Sequence, residues 1–217
     1  MGFCLEKTLG RLSADPEFKA EEIAVLACVP TEKWRFWAQR HLSETFLRLL
    51  HIDSDFVRSC DENGARNWQT WWNANIAPVG EALIKLRDEL RVKTVLDSRF
   101  DEFRKITANR RFRILFLIAH HVGMRDEIEF RDGPHSWAEV EAGLDPGVGV
   151  VLIICESQGW QRDLLDRQDW RSPVGGGEFR FPVREASEFL LAWVREILRG
   201  GSLLVARDIA MGKFYRR

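Results

Sequence analysis

The chain has 217 residues, 45% of them hydrophobic, enough to bury a full core in one domain or in one domain with a helical extension. A formal charge of −1 with 30% charged residues offers no global attraction to nucleic acid or an anionic membrane, so binding must come from local sites. The longest apolar runs, ILFLIA and VVLIIC, are strand-length, and the start MGFCLEKTLGRL lacks the basic-then-apolar order of a secretion signal; a cytoplasmic location is expected.

From about Ala20 to Glu89 the apolar residues recur at helical intervals. Trp34, Trp37, Leu42, Phe46, Leu49 and Leu50 follow the start signal Pro30-Thr31, and Trp68, Trp71, Trp72 and Ile76 make a second stripe. Residues 1–90 are therefore expected to form a helical N-terminal region. The tryptophan clusters WRFW and WQTWW have the composition of a base- or sugar-stacking platform. At helical spacing, however, such rings are ordinarily packing residues, because they bury so much area.

From Arg91 onward the pattern changes. Val92 to Asp97 is a short, β-rich segment ending at an acid, as an outer strand does. Phe100, Phe103 and Ile106 are spaced as one face of a helix, and Arg113 to Ala119 is a continuous apolar strand of the kind covered by helices on both faces. That strand runs into His120-His121. Glu127 to Phe130 alternates and is closed by Gly133-Pro134, as in a hairpin. Ser136-Trp137-Ala138-Glu139 reads as a capping box opening a short helix, and Pro146-Gly147 breaks the chain before a last strand, Val148 to Ile154.

Crossovers between parallel strands put the C-terminal strand ends on one edge, where open α/β folds place their sites. His120 or His121 and Cys155 are thus expected at a single rim. A cysteine and a histidine meeting there form a thiolate–imidazolium pair, nucleophile and general acid in one contact. Cys4, Cys28 and Cys60 carry no CxxC pairing and read as small buried hydrophobes; with no zinc-finger spacing to the histidines, neither a metal nor a cofactor is expected. His41, His51 and His135 read as surface or partly buried imidazoles.

Ala119-His120 at the end of an apolar strand, the acidic hairpin with Asp132-Gly133, and Ile154-Cys155-Glu156-Ser157 at the end of the next strand resemble caspase-like cysteine peptidases, most closely the CHAT type. The tail is similar too. Phe189-Leu190-Leu191-Ala192-Trp193 and the stretch Leu198 to Ala210 resemble the two closing helices of that type, so the likeness covers roughly Val92 to Phe214. The fold it implies is a mostly parallel sheet flanked by helices over residues 91–217, preceded by the helical N-terminal part.

The activity it implies is that of a cysteine endopeptidase with a Cys/His dyad. Cys155 would attack the scissile carbonyl, His120 would protonate the leaving amine, and the backbone N–H groups of Cys155 and His121 would hold the oxyanion. One departure bears on the assignment: the family usually has glycine after its histidine, and here His121 stands there. Ala119 supplies the small residue that normally precedes the catalytic histidine, which favours His120. Asp97 is the candidate acid for a substrate pocket, Glu156 being poorer because adjacent strand residues point to opposite faces. Gly175-Gly176-Gly177 reads as a lid over the substrate or a surface loop.

The expected partners are a protein substrate and a protein activator acting in trans, since the sequence shows no pro-segment and no cleavage-prone linker near Cys155. The likeness further implies an effector in a bacterial defence or cell-death system, antiviral defence included. The alternative is a catalytically inactive member of the same fold, with the tryptophan-rich half as a protein-interaction module. No nucleic acid or membrane partner is expected.

Overall fold

The structure is a computed structural model that describes residues 3–6, 18–28, 77–96, 98–119, 126–154, 157–167, 174–177 and 183–215. The Trp34/Trp37 and Trp68/Trp71/Trp72 stripes lie outside the described residues.

A single six-stranded sheet organises them. Its strands are β1 (Phe3–Glu6), β2 (Ile23–Cys28), β3 (Lys93–Leu96), β4 (Ile114–Ala119), β7 (Gly149–Ile153) and β8 (Val174–Gly177). β5 (Glu127–Phe130) and β6 (Gly133–Ser136) form a separate antiparallel hairpin. The order in the large sheet is β1-β8-β7-β4-β2-β3; all neighbours are parallel except the edge strand β1, which runs antiparallel to β8. Among the described residues six α-helices accompany the strands: α1 (Ala77–Asp88), α2 (Phe100–Thr107), α3 (Trp137–Ala142), α4 (Gln158–Asp166), α5 (Val183–Leu198) and α6 (Leu203–Tyr215).

Each central strand is apolar on both faces, and the alternation of side chains divides the core into two layers. Ile23, Val25, Phe116, Ile118 and Val151 meet α1, α5 and α6 on one face. Leu26, Leu115, Leu117, Val150 and Leu152 meet α2, α3, α4 and the hairpin on the other. The result is a three-layer α/β sandwich. Among the described residues no helix is long and apolar enough to cross a membrane.

The part expected to be helical contributes two strands, and one is central. β2 is buried along its whole length and lies between β3 and β4, so the sheet does not begin at residue 91. The cause is plain in its sequence: IAVLAC is a short unbroken apolar run, in which helical and strand periodicity look alike. α1 does follow the helical pattern, burying Val79, Leu83 and Leu86.

From Arg91 onward the expected elements appear in order. β3 is an outer strand, paired on one side only. Phe103 and Ile106 of α2 are buried, and the N-terminus of α2 is capped from the hairpin: the Phe100 N–H donates to Asp132 Oδ1 at 2.9 Å. Asp132-Gly133 thus ties the hairpin to the layer it covers, and Gly133, at φ 133°, takes a conformation closed to side chains with a Cβ. The capping box of α3 is complete, with the Glu139 N–H donating to Ser136 Oγ at 3.3 Å and the Ser136 N–H to Glu139 Oε2 at 2.9 Å.

The triglycine is neither a lid nor a surface loop. Gly175, Gly176 and Gly177 belong to β8, with Gly176 paired to Leu152 on one side and Cys4 on the other. Glycine is depleted in strands, so the run carries a loop signal by composition; it is the two flanking strands that hold it extended. The two closing helices are present, joined at Gly200-Gly201. Gly200 has φ 87°, its N–H donates to the Ile197 carbonyl, and the Gly201 N–H donates to that of Glu196, a Schellman stop. Trp193, fully buried, donates its indole N–H to the Leu203 carbonyl at 3.0 Å and so fastens α6 to α5.

Candidate active site at the carboxyl edge of the sheet

The five parallel strands, taken in chain order, lie 2-1-3-4-5 in space, a doubly wound arrangement in which the connections leave the first strand in opposite directions. Ligand sites in such sheets gather outside the carboxyl ends of the strands. Three described residues mark that edge in neighbouring strands: Cys28 at the end of β2, Ala119 at the end of β4, and Ile154 just beyond β7. Cys28 is in register with Ala119, and Ile118 is in register with Ile153.

His120 and His121, which follow Ala119, and Cys155, which follows Ile154, lie outside the described residues, as does Glu156. What is described is the frame around them. β4 and β7 are adjacent, about 4.8 Å apart at ordinary strand spacing. Ser157 is fully buried, and its hydroxyl donates to the Ile154 carbonyl at 2.9 Å, with the Leu152 carbonyl at 3.4 Å. That hydrogen bond ties Ser157 back to the end of β7, and α4 starts at the next residue.

Asp97 also lies outside the described residues. Its neighbours do not: Leu96 is 52% exposed, and Ser98 is fully buried, with its N–H donating to the Ala27 carbonyl at 3.2 Å and its own carbonyl accepting from the Arg131 N–H at 3.0 Å. β3 is separated from β7 by β2 and β4, about 14 Å in all at ordinary spacing. The strand that leads to Asp97 is therefore the far edge of the sheet as seen from β7.

One carboxylate stands closer to the segment that follows β7. Asp126 opens the hairpin that follows β4, and its Oδ1 accepts a 2.7 Å hydrogen bond from the indole N–H of Trp160 in the first turn of α4. The Asp126 carbonyl accepts from the Trp137 N–H, also at 2.7 Å. Trp137 and Trp160 are both 4% exposed and stack with ring centroids 5.0 Å apart and planes 10° from parallel. An isolated aspartate ahead of a hairpin carries no signal for this in the sequence, because the indole that holds its carboxylate and the backbone N–H that holds its carbonyl come from further along the chain.

His135 stacks on Phe100 at 4.0 Å and approaches Glu139 at 3.9 Å, partly buried as expected and away from the strand ends. Hydrogen bonds from the Ser136 backbone N–H and hydroxyl hold the Glu139 carboxyl below the usual carboxylate range. Among the described residues no group of three or more His, Cys, Asp or Glu side chains has the arrangement of a metal site. Cys28 is 3% exposed and packs in the layer beneath α2 and the hairpin.

No protein-family model matches the chain, and no curated protein matches it.

Proposed function

We propose that the protein is a cysteine endopeptidase whose dyad is Cys155 and His120, built at the carboxyl edge of a caspase-like sheet. The observation that carries the reading is the adjacency of β4 and β7: the strand leading to the histidine pair and the strand leading to the cysteine are parallel neighbours in register. The hydrogen bond from buried Ser157 to the Ile154 carbonyl supports it further, since the described residues on either side of Cys155 are tied to one another.

In this mechanism the imidazole takes the thiol proton, and the thiolate adds to the scissile carbonyl. The Cys155 and His121 backbone N–H groups receive the charge on the carbonyl oxygen. The imidazolium returns its proton to the leaving amine, a thioester remains on Cys155, and water, deprotonated by the same imidazole, releases the acid. Neither a metal nor a cofactor enters. The proposal extends to a protein activator in trans and, by the likeness described above, to a role as an effector in bacterial defence or cell death.

The test is turnover of a mixed peptide library by the full chain, together with mapping of iodoacetamide adducts at neutral pH. Cleavage, with Cys155 alkylated faster than Cys4, Cys28 and Cys60, is the expected result. No cleavage and indiscriminate alkylation would leave the inactive fold acting as a protein-interaction module. Full activity of the chain alone would remove the activator from the proposal.

A further inference from the structure

β2, β3 and β4 begin side by side at the amino edge of the sheet, opposite the edge marked by Cys28, Ala119 and Ile154, and each is entered through a basic segment. The three strands are parallel, with Ala24 in register with Lys93 and Ile23 with Ile114, so their starts span about 10 Å at ordinary strand spacing. Lys19 precedes β2, Arg91 and Lys93 bring the chain from α1 into β3, and Arg110, Arg111 and Arg113 bring it from α2 into β4; all six are exposed. The backbone that carries them is fixed. The Arg113 N–H donates to the Glu22 carbonyl at 2.8 Å, the Val92 N–H to the Leu86 carbonyl at 3.0 Å and the Phe112 N–H to the Asn109 carbonyl at 3.0 Å.

The fold leaves most of this charge uncompensated. Arg113 pairs with Glu22 at 3.5 Å and lies over the Phe18 ring, but among the described residues Lys19, Arg91, Lys93, Arg110 and Arg111 form no ion pair. The acids that border the rim have cations of their own: Asp88 binds Arg87 at 2.7 Å and Glu89 binds Arg195 at 2.8 Å, which leaves exposed Glu21. Arg91 supplies a second, independent observation. At φ 60° it is the one residue other than glycine with a positive φ among the described residues. An arginine there carries strain that a glycine would not, and its side chain is exposed; Asp88, the carboxylate its charge reaches, is already hydrogen-bonded to Arg87. Strain kept at an exposed cation without an internal partner points to a ligand outside the fold.

We infer that this basic rim is a docking surface for an acidic segment of a partner protein. The inference goes beyond the peptidase reading and does not rest on it. Guanidinium groups on fixed backbone offer carboxylates paired N–H donors, and the cations reach a ligand without first breaking ion pairs of their own. The size of the rim selects the partner. A short run of Asp and Glu fits about 10 Å bounded by Glu21, Asp88 and Glu89, whereas the phosphates of a nucleic acid duplex continue past the rim onto those acids. Unpaired bases find no ring to stack on, since Phe18 and Phe112 are 8% and 9% exposed.

The experiment measures binding of a fluorescein-labelled deca-glutamate peptide to the full chain by anisotropy, with deca-glutamine, a short DNA duplex and vesicles containing phosphatidylserine compared at the same salt. Arg110→Gln/Arg111→Gln removes two charges from the rim. Arg99→Gln/Arg131→Gln removes two from the carboxyl edge, where the Arg131 N–H donates to the Ser98 carbonyl and the Ser98 N–H to that of Ala27, so the two variants have equal net charge. All these side chains are exposed, and unchanged melting temperatures check the folding. The expected result is binding of deca-glutamate alone that weakens as salt rises, falls about tenfold in Arg110→Gln/Arg111→Gln and about threefold in Arg91→Gly, and stays within about twofold of the parent in Arg99→Gln/Arg131→Gln. Equal losses in the two double variants would reduce the effect to net charge and overturn the inference. So would failure of deca-glutamate to bind, or tighter binding of the duplex or the vesicles, which would give the rim to a nucleic acid or a membrane.

Discussion

Ile118 of β4 stands opposite Ile153 of β7 in a parallel pair, so that the chain leaves both strands at the same edge of the sheet. His120 and Cys155 are each two residues beyond that pair in sequence. If they act as a unit, Cys155→Ala and His120→Ala should each abolish peptide cleavage, and the double variant should lose no more than either alone. Both should melt close to the parent chain, since the proposed mechanism needs both side chains facing substrate, where truncation leaves no cavity in the core. His121→Ala should cost less, because the proposed mechanism uses only its backbone N–H. An inactive His121→Ala beside an active His120→Ala would exchange their roles.

Ser157 should act as a positioning residue. Ser157→Ala removes the donor that ties this residue to the Ile154 carbonyl and leaves that buried acceptor without it, a loss of about 1–3 kcal/mol in stability. The sharper readout is at the neighbouring thiol: the iodoacetamide rate at Cys155 should fall towards that of the other cysteines, while Ser157→Thr, which keeps the hydroxyl, should restore most of it. Unchanged labelling in Ser157→Ala would confine the residue to a structural role.

Gly201 should not tolerate a side chain. A Cβ there would come within 2.8 Å of the Glu196 carbonyl oxygen, a backbone atom that is already the acceptor for the Gly201 N–H. Gly201→Ala must therefore open the junction between α5 and α6, at a cost of about 2 kcal/mol by thermal or urea unfolding. Gly212→Ala, where nothing lies within 4 Å of the added carbon, is the control and should be neutral or stabilising.

Arg91 presents the opposite case. It takes φ 60° after α1, a conformation glycine adopts freely and arginine does not, and its side chain is exposed. Arg91→Gly should raise stability by about 0.5–1 kcal/mol, the relief of strain being partly offset by the greater freedom of glycine in the unfolded chain. A lower melting temperature in the variant would show that Arg91 makes a contribution that outweighs its backbone strain.

Glu139 should make the α3 cap sensitive to acid. Its carboxyl is held below the usual carboxylate range, chiefly by the Ser136 backbone N–H and then by the Ser136 hydroxyl. A depressed carboxylate stabilises the fold above its unfolded-state value, and that contribution disappears as pH falls through the folded-state value. The melting temperatures of the parent chain and Glu139→Gln should therefore differ most at neutral pH and converge as the pH falls below the ordinary glutamate range. A constant difference across that range would sink the assignment.

Much of the chain from Arg91 onward was legible before any tertiary contact was known. The six apolar residues of β4 and the five of β7 are too short for helices and too apolar for an exposed strand, so burial between two helical layers is implied by composition and length alone. The Ser136 cap and the α2 face are local signals acting through neighbours in sequence, and each appears where such signals put it.

Tertiary structure decided the rest, because the deciding partners are distant in the chain. β2 is a strand because β3 and β4 supply hydrogen bonds on both its sides, while its apolar run alone was as compatible with a helix. Gly175, Gly176 and Gly177 are held extended only by Leu152 on one flank and Cys4 on the other. Asp126 is a fixed carboxylate only because Trp160, 34 residues further on, donates to it, and no local pattern encodes that distance. The order 2-1-3-4-5 likewise follows from which helices cover which face, and it is this order that makes the strands leading to His120 and Cys155 neighbours while setting the strand that leads to Asp97 at the far edge.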